Sequence, residues 1–363
     1  MLDAPLAPYL LWAKTRQPAA IDLAGSNLLA CTIDDLPDVR ETVDLAAPND
    51  NGFAPVIEAI AARYGVGTDR VAAAQGCSGA NFLTVAALVA PGDEVLVEKP
   101  TYDPLLGACR LMGARILRFE RRFEDGYALD LDAIRRTITP RTRLIIVTTP
   151  HNPSGVSIDR AAMRELGAIA DRHGATVLAD EVYLDGANLV DGAPQRLPAA
   201  TLDGPFVSTA SLTKSFGLAG LRSGWVVAPA DVAFRVRRTR DVVDNASSGP
   251  ADRLAGLAWS HIGTLAVRAG RLLSRNVATM RAFLDAHPRL RVAAPPAASV
   301  VFPRLDGVGD AGPFVRRLVQ EHGVAVAPGD FFDSPAHFRI SLAGDGDTLE
   351  RGLAEMEKAL AAV

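Results

Sequence analysis

Between Val71 and Val227 the chain repeats one alternation. Short, mostly apolar runs are each followed by a turn and then by a stretch with apolar residues at helical spacing. The runs are Val71–Ala74, Glu94–Val97, Ile116–Leu117, Leu144–Val147, Thr176–Ala179, Phe206–Ser208 and Trp225–Val227. A strand with no regular polar face must be covered on both sides, and the intervening helices supply the cover. The expected fold class is therefore α/β, with a mainly parallel seven-stranded sheet carrying helices on both faces. Helices are expected over Pro55–Tyr64, Ala80–Val89, Asp103–Met112 and Leu131–Ile138, and from the Asp159 cap to His173, with Gly76–Gly79 read as a turn. After about residue 230 the spacing is mostly helical, over Val232–Val243, Ala251–Trp259 and Thr264–Ala286. The tail mixes short strands (Ser299–Phe302, Val324–Val326, His337–Ser341) with helices (Pro313–Gln320, Thr348–Ala361). This predicts a large domain over 38–278 and a smaller α+β domain formed by 1–37 and 279–363. The apolar opening, Leu6 to Trp12, is either an arm docked on another surface or a helix packed on its own domain.

Composition narrows the function. A net charge of −4 and a pI near 5.9 give no reason to expect nucleic acid or an anionic membrane as partner. No apolar run has the length of a membrane span, and Phe82–Ala90 stops at Pro91-Gly92. The N-terminus lacks the basic and apolar regions of a secretory leader. Cys31, Cys77 and Cys109 are odd in number and widely spaced, which suits reduced thiols in a cytoplasm. The six histidines form no HxxxH pair, so no metal site is expected. Of the 38 basic residues only Lys14, Lys99, Lys214 and Lys358 are lysine. In a chain that writes cation as arginine, a retained lysine suggests work that guanidinium cannot do, such as attack of a neutral amine on a carbonyl.

Ligands of open parallel sheets bind beyond the carboxyl ends of the strands. Four polar clusters stand there. Gly76-Cys77-Ser78-Gly79-Ala80 is a small-residue turn that lets backbone N–H groups approach a phosphate; it is equally an ordinary glycine turn. Asn152-Pro153-Ser154-Gly155 offers an amide to a ring substituent, or is a plain Asn-Pro turn. Asp180, with Tyr183, ends an apolar strand, where a carboxylate is costly unless paired; a ligand cation or an arginine would pair it. Ser211, Lys214 and Arg222 combine hydroxyl, amine and guanidinium, suited to a phosphate beside a Schiff base. Tyr102, after the second strand, supplies a stacking face or is a core tyrosine. Taken in this order the clusters describe the needs of a phosphorylated pyridine aldehyde, pyridoxal 5'-phosphate.

The ordered set Ser78-Gly79-Ala80, Pro100-Thr101-Tyr102, Asn152-Pro153-x-Gly155, Asp180-Glu181-x-Tyr183 and Ser211-x-x-Lys214 followed by Arg222 resembles the class I/II aminotransferases, the fold-type I pyridoxal-phosphate enzymes, from about residue 20 to 360. The resemblance implies that Lys214 forms the internal aldimine and that Asp180 pairs with the pyridine nitrogen. Asn152 and Tyr183 then bond the ring hydroxyl, Tyr102 stacks on the ring, and Ser78, Gly79, Ala80, Ser211 and Arg222 take the phosphate. Arg339, in Phe338-Arg339-Ile340-Ser341, matches the arginine that grips the substrate carboxylate, with Asn152 beside it. Lys214, Asp180 and Tyr183 form the implied catalytic set.

The implied activity is transfer of an amino group between an L-amino acid and a 2-oxo acid by a ping-pong route, in a cytoplasmic homodimer. The alternatives are a lyase or cyclising synthase on the same fold, or a non-catalytic cofactor-binding sensor; such sensors carry an added winged-helix domain that this chain has no room for. The place where the family often has a tyrosine reaching the neighbouring subunit's phosphate is Ala47 here, so either another residue, Asn49 or Asn51, serves or the neighbour contributes less. No second arginine for a dicarboxylate side chain is recognisable. The loops Leu184–Leu197 and Asp330–Ala336 are expected to shape the side-chain pocket.

Overall fold

A computed structural model describes residues 6–45 and 51–362. The seven expected runs form one sheet: β1 Val71–Gln75, β2 Glu94–Lys99, β3 Arg115–Glu120, β4 Thr142–Thr148, β5 Thr176–Asp180, β6 Phe206–Ser211 and β7 Ser223–Val227. Their order across the sheet is β1-β7-β6-β5-β4-β2-β3. All neighbours are parallel except β7, which opposes both β1 and β6. That reversal matters for the site. Because β7 runs backwards, its first residue and not its last sits at the carboxyl edge, where Ser223 faces Gln75 and Gly224 faces Ser211.

Side-chain alternation splits the core between the two faces of the sheet. Leu144, Ile146, Leu178, Val207 and Val226 pack under the helices Gly76–Leu88, Asp103–Leu111 and Ala230–Val243. Ile145, Val147, Val177 and Phe206 pack on the other face, against Met163, Leu166 and Ile169 of the Arg160–Arg172 helix. Each such aliphatic side chain, fully buried, contributes about 1.5–3 kcal/mol. Gly167 permits the close contact, since a Cβ there would lie 2.2 Å from Phe206 Cζ.

The smaller unit has its own core. It joins Ile21, Leu23 and Leu28 to Phe314, Leu318, Phe338, Ile340, Leu353 and Met356. The 25-residue helix Ile262–Ala286 feeds both units, with Leu265 in the large core and Leu273, Val277 and Met280 in the small one. Position 278 therefore falls inside one continuous element. The N-terminal apolar stretch is a helix, Pro8–Thr15, packed across the junction. Its Tyr9 N–H donates to Asp103 Oδ2 at 2.7 Å, and its rings Tyr9 and Trp12 meet Phe331 and, for Tyr9, Phe332. It touches both units, through Asp103 on one side and Phe331 and Phe332 on the other. No helix among the described residues is long and apolar enough to cross a membrane.

Candidate active site

The carboxyl ends of β1, β4, β5 and β6 and the start of β7 open onto one cavity of about 760 Å³. Its wall includes Lys214, Asp180, Tyr183, Tyr102, Asn152, Ser78, Ser211 and Arg222. Eight sequence-predicted residues thus meet in one place.

The corner where a phosphate is expected is built by the turn after β1. The structure corrects the expected turn over Gly76–Gly79: the helix begins at Gly76. Gly76 adopts φ +71°, which lets the strand pass into the helix without a loop. The N–H groups of the first four residues have no partner inside the helix and carry the positive end of its dipole. They belong to Gly76, Cys77, Ser78 and Gly79. Gly79 does not line the cavity, and Ala80 is fully buried on the inner face of the helix.

Arg222 stands opposite, at φ +51°, a left-handed conformation uncommon for a side chain of this size. A Cβ on Gly76 would sit 2.4 Å from Arg222 Nη2, so the guanidinium lies directly over the turn. Ser211 Oγ caps the Leu212–Phe216 helix by accepting from Thr213 N at 3.4 Å. Thr213 Oγ1 is buried without a partner and its residue lines the same corner. N–H groups without a partner inside the helix, a guanidinium and hydroxyls suit a phosphate dianion.

Lys214 Nζ donates to Ser26 Oγ at 2.8 Å and to Asn27 Oδ1 at 2.6 Å. Burial, then Arg339, lower its pKa to about 7, against the pull of Asp180. The amine is therefore neutral in a large fraction of molecules near pH 7, as carbonyl chemistry requires.

Asp180 is buried, and burial raises its proton affinity. Three donors oppose this: Asn81 Nδ2 at 2.8 Å on Oδ2, and Val182 N at 3.2 Å and Cys77 Sγ at 3.4 Å on Oδ1. Its carboxylate lines the cavity. Tyr183 is buried, its pKa pushed up to about 12 by burial, with Arg339 and Ser26 acting the other way. Burial likewise holds Tyr102 protonated.

Arg339 is wholly buried. Its Nη1 donates to Asn152 Oδ1 at 2.7 Å, and its Nη2 donates to Ala24 O at 3.0 Å and to the Tyr9 hydroxyl. The Tyr9 ring lies 4.9 Å from the guanidinium carbon and completes a cation–π contact.

The loop that carries Asn152 is anchored beneath. Glu98 Oε1 accepts from Thr148 N at 2.6 Å, and Arg121 Nη1 meets Glu98 Oε2 at 2.8 Å, both side chains inaccessible. His151 spans Ser154 Oγ and Pro100 O.

The sequence motifs did not single out Tyr9, Ser26, Asn27, Asn81 or Thr213, all on the cavity wall. Thr213 was within reach, being inside the Ser211–Lys214 motif. The others come from the N-terminal segment or from one turn into a helix, where spacing carries no signal of a site. The segment Leu184–Leu197 does not line this cavity. After Asp180, Glu181 turns to the far face of the sheet, and Leu184 and Pro194–Leu197 border a separate cavity of about 390 Å³ there. Burial raises the Glu181 pKa to about 8, and its Oε1 accepts from Ala199 N at 2.7 Å. Asp330–Ala336 reaches the site only through Phe331 and Phe332, behind Tyr9 and Arg339. Ala47 and Asn49 lie outside the described residues; Asn51 accepts from Arg238 Nη2 at 3.1 Å and lines a different surface depression.

Residues 23–356 match the family described as aminotransferase class I and II. The chain belongs to that family. It is 35% identical over 316 residues to capreomycidine synthase of Streptomyces vinaceus, covering 83% of this chain and 77% of that one. It is 30% identical over 298 residues to arginine–pyruvate transaminase AruH of Pseudomonas aeruginosa, covering 76% and 71%. A pyridoxal-phosphate-dependent aminotransferase from Streptococcus suis superposes with a TM-score of 0.91 at 26% identity, over 99% of each chain. The fold is thus that of the fold-type I enzymes. The protein is an enzyme of transaminase type that depends on pyridoxal phosphate. The N–H groups at the helix start under Arg222, the orphan Thr213 hydroxyl and the amine beside a buried carboxylate all fit that group.

Proposed function

We propose that the enzyme moves an amino group between an L-amino acid and a 2-oxo acid in two half-reactions, with Lys214 as the covalent anchor and proton carrier. The observation that carries this reading is the convergence of the Lys214 amine, the Asp180 carboxylate and the Arg222 guanidinium on one cavity. When bound, pyridoxal phosphate supplies an electron sink for charge developing at the substrate Cα. Ser78, Ser211, Arg222 and the first N–H groups of the Gly76–Leu88 helix hold the phosphate, with Gly79 and Ala80 shaping that turn. Asp180 faces the ring nitrogen, Asn152 and Tyr183 face the ring hydroxyl, and Tyr102 covers the ring. Arg339, with Asn152, receives the substrate carboxylate, which exchanges with Tyr9 for the guanidinium. That contact orients the Cα–H bond, a positioning role. Lys214 Nζ then takes the Cα proton and returns it on the neighbouring carbon, first as base and then as acid.

Two further statements are part of the proposal. The enzyme works as a homodimer; the exposed apolar side chains Leu45, Val242 and Val243 support an interface. It resides in the cytoplasm, a reading supported by three free cysteines.

A second reading, a synthase that uses the same site without an oxo-acid acceptor, is favoured by the likeness to capreomycidine synthase. One assay separates them. Purified, cofactor-loaded protein is mixed with a panel of amino acids while the visible absorbance is followed. A transaminase bleaches it with one amino acid and recovers it only when a 2-oxo acid is added. A synthase turns over with no acceptor. Absence of both, with no borohydride-stable adduct at Lys214, overturns the assignment.

A further inference from the structure

Asp180 is not held by the turn it sits on alone. Its strand neighbour in β6 is Thr209, placed beside it by the parallel register. From the face of the sheet, the Gly76–Leu88 helix presents Cys77 and Asn81, four residues apart and so on one helical face. Asn81 Nδ2 donates to Asp180 Oδ2 at 2.8 Å, and Thr209 Oγ1 donates to Asn81 Oδ1 at 2.6 Å. All of these side chains are buried.

The direction of this relay is determined. An asparagine amide can present either its oxygen or its NH₂ to a neighbour. A threonine hydroxyl that donates to Oδ1 leaves only the NH₂ for the carboxylate. Of the acceptor sites on Asp180, Oδ1 already takes Val182 N and Cys77 Sγ, whereas Oδ2 takes Asn81 alone. Oδ2 therefore keeps capacity for one more donor from the cavity side.

We propose that the Thr209–Asn81 relay holds the cofactor-facing carboxylate of Asp180 ionised and aimed, and that Asn81 is a positioning residue for the electron sink. This rests on the reading of Asp180 given above and goes beyond it by assigning the residues that set its charge. The other titratable groups facing Asp180 are Cys77, Lys214, Tyr102 and Tyr183, while Glu181, next in sequence, points to the far face of the sheet. Cys77 and the tyrosines are held protonated by burial, and Lys214 is the one cation among these groups.

Loss of the Asn81 donor leaves burial less opposed, so Asp180 gains proton affinity. A neutral Asp180 no longer stabilises charge on the ring nitrogen. The ring nitrogen then gives up its proton, and the nitrogen joining Lys214 to the cofactor, without that neighbouring positive charge, becomes more basic. The readout is the pH midpoint of the bound cofactor's visible absorbance, with the cofactor dissociation constant measured in parallel. Asn81→Leu is expected to raise the midpoint by about one pH unit and weaken cofactor binding about tenfold. Thr209→Val shifts both in the same direction by less, and Thr209→Ser restores the parent values.

Because Thr209 acts through the amide, the double variant Asn81→Leu/Thr209→Val matches Asn81→Leu alone. Folded, loaded Asn81→Leu with the parent midpoint overturns the inference, and so does an additive double variant. If Asn81→Leu does not fold, Thr209→Val decides by itself, an unmoved midpoint being the negative result. Failure of the underlying reading looks different: borohydride then fixes no cofactor on Lys214 of the parent protein, and the inference falls with it.

Discussion

Lys214 is neutral in a large fraction of molecules near pH 7 because burial and Arg339 outweigh the attraction of Asp180. Its reactivity in the cofactor-free protein should therefore saturate. Acylation at Lys214 should rise about tenfold from about pH 6 to about pH 8 and then level off, whereas an ordinary lysine rises about a hundredfold with no plateau. Peptide mapping after timed acetic anhydride treatment measures it. Gly76 is a second decisive residue. Gly76→Ala forces a side chain into a left-handed backbone and drives Cβ to 2.4 Å from Arg222 Nη2. Cofactor affinity should fall by more than about tenfold, with stability reduced by about 1–3 kcal/mol, read by cofactor titration and urea unfolding. At this scale Lys214 and Asp180 were legible, since each is an odd residue for its place: a rare lysine, and an acid ending an apolar strand. Arg339 was legible only through the family resemblance. One arginine among thirty-four has no local mark, and its importance comes from being wholly buried.

Among elements, the sheet edge does most to build the site, and it depends on what lies under it. Glu98 and Arg121 are both inaccessible and join β2 to the segment after β3, while Glu98 also holds the end of β4. Glu98→Ala leaves a buried guanidinium unpaired and frees the loop carrying Asn152. A loss of about 3–5 kcal/mol is expected by urea denaturation. Glu98→Gln, which keeps a carbonyl acceptor for Thr148 N, should lose less. Strand positions were readable because an unbroken apolar run has one solution, burial on both faces. The start of the Gly76–Leu88 helix was not, because Gly-Cys-Ser-Gly has the composition of a turn. In the fold Gly76 is packed closely against Gly224 and Arg222, the first of them 148 residues away in sequence. The destination of Leu184–Leu197 was equally hidden, since it follows from which face Glu181 takes.

In the whole molecule, the N-terminal helix spans the two units and brings Tyr9 to Arg339. Asp103 holds it by accepting from Tyr9 N, and Gly107 lets Leu6 O approach closely. Burial raises the Asp103 pKa from 3.8 to about 6. The folded state thus binds this proton more tightly than the unfolded one, so the contribution to stability is lost as pH rises from about 4 to about 6. Asp103→Asn, which keeps the acceptor, should flatten that fall in thermal midpoint, measured by calorimetry across the window. The sequence by itself determined the α/β class, the order of the seven strands along the chain and the motif residues at their ends. Those depend on local pattern: apolar runs that must be buried, and polar groups standing just beyond them. Only the tertiary structure decided the spatial order of the strands, the reversal of β7 that brings Arg222 to the corner where a phosphate is expected, and the company each motif residue keeps. Ser26, Asn27, Asn81 and Thr209 reach Lys214 and Asp180 across separations of 99 to 188 residues or across neighbouring strands. Contacts of that kind arise from packing the whole chain, and no local pattern encodes them.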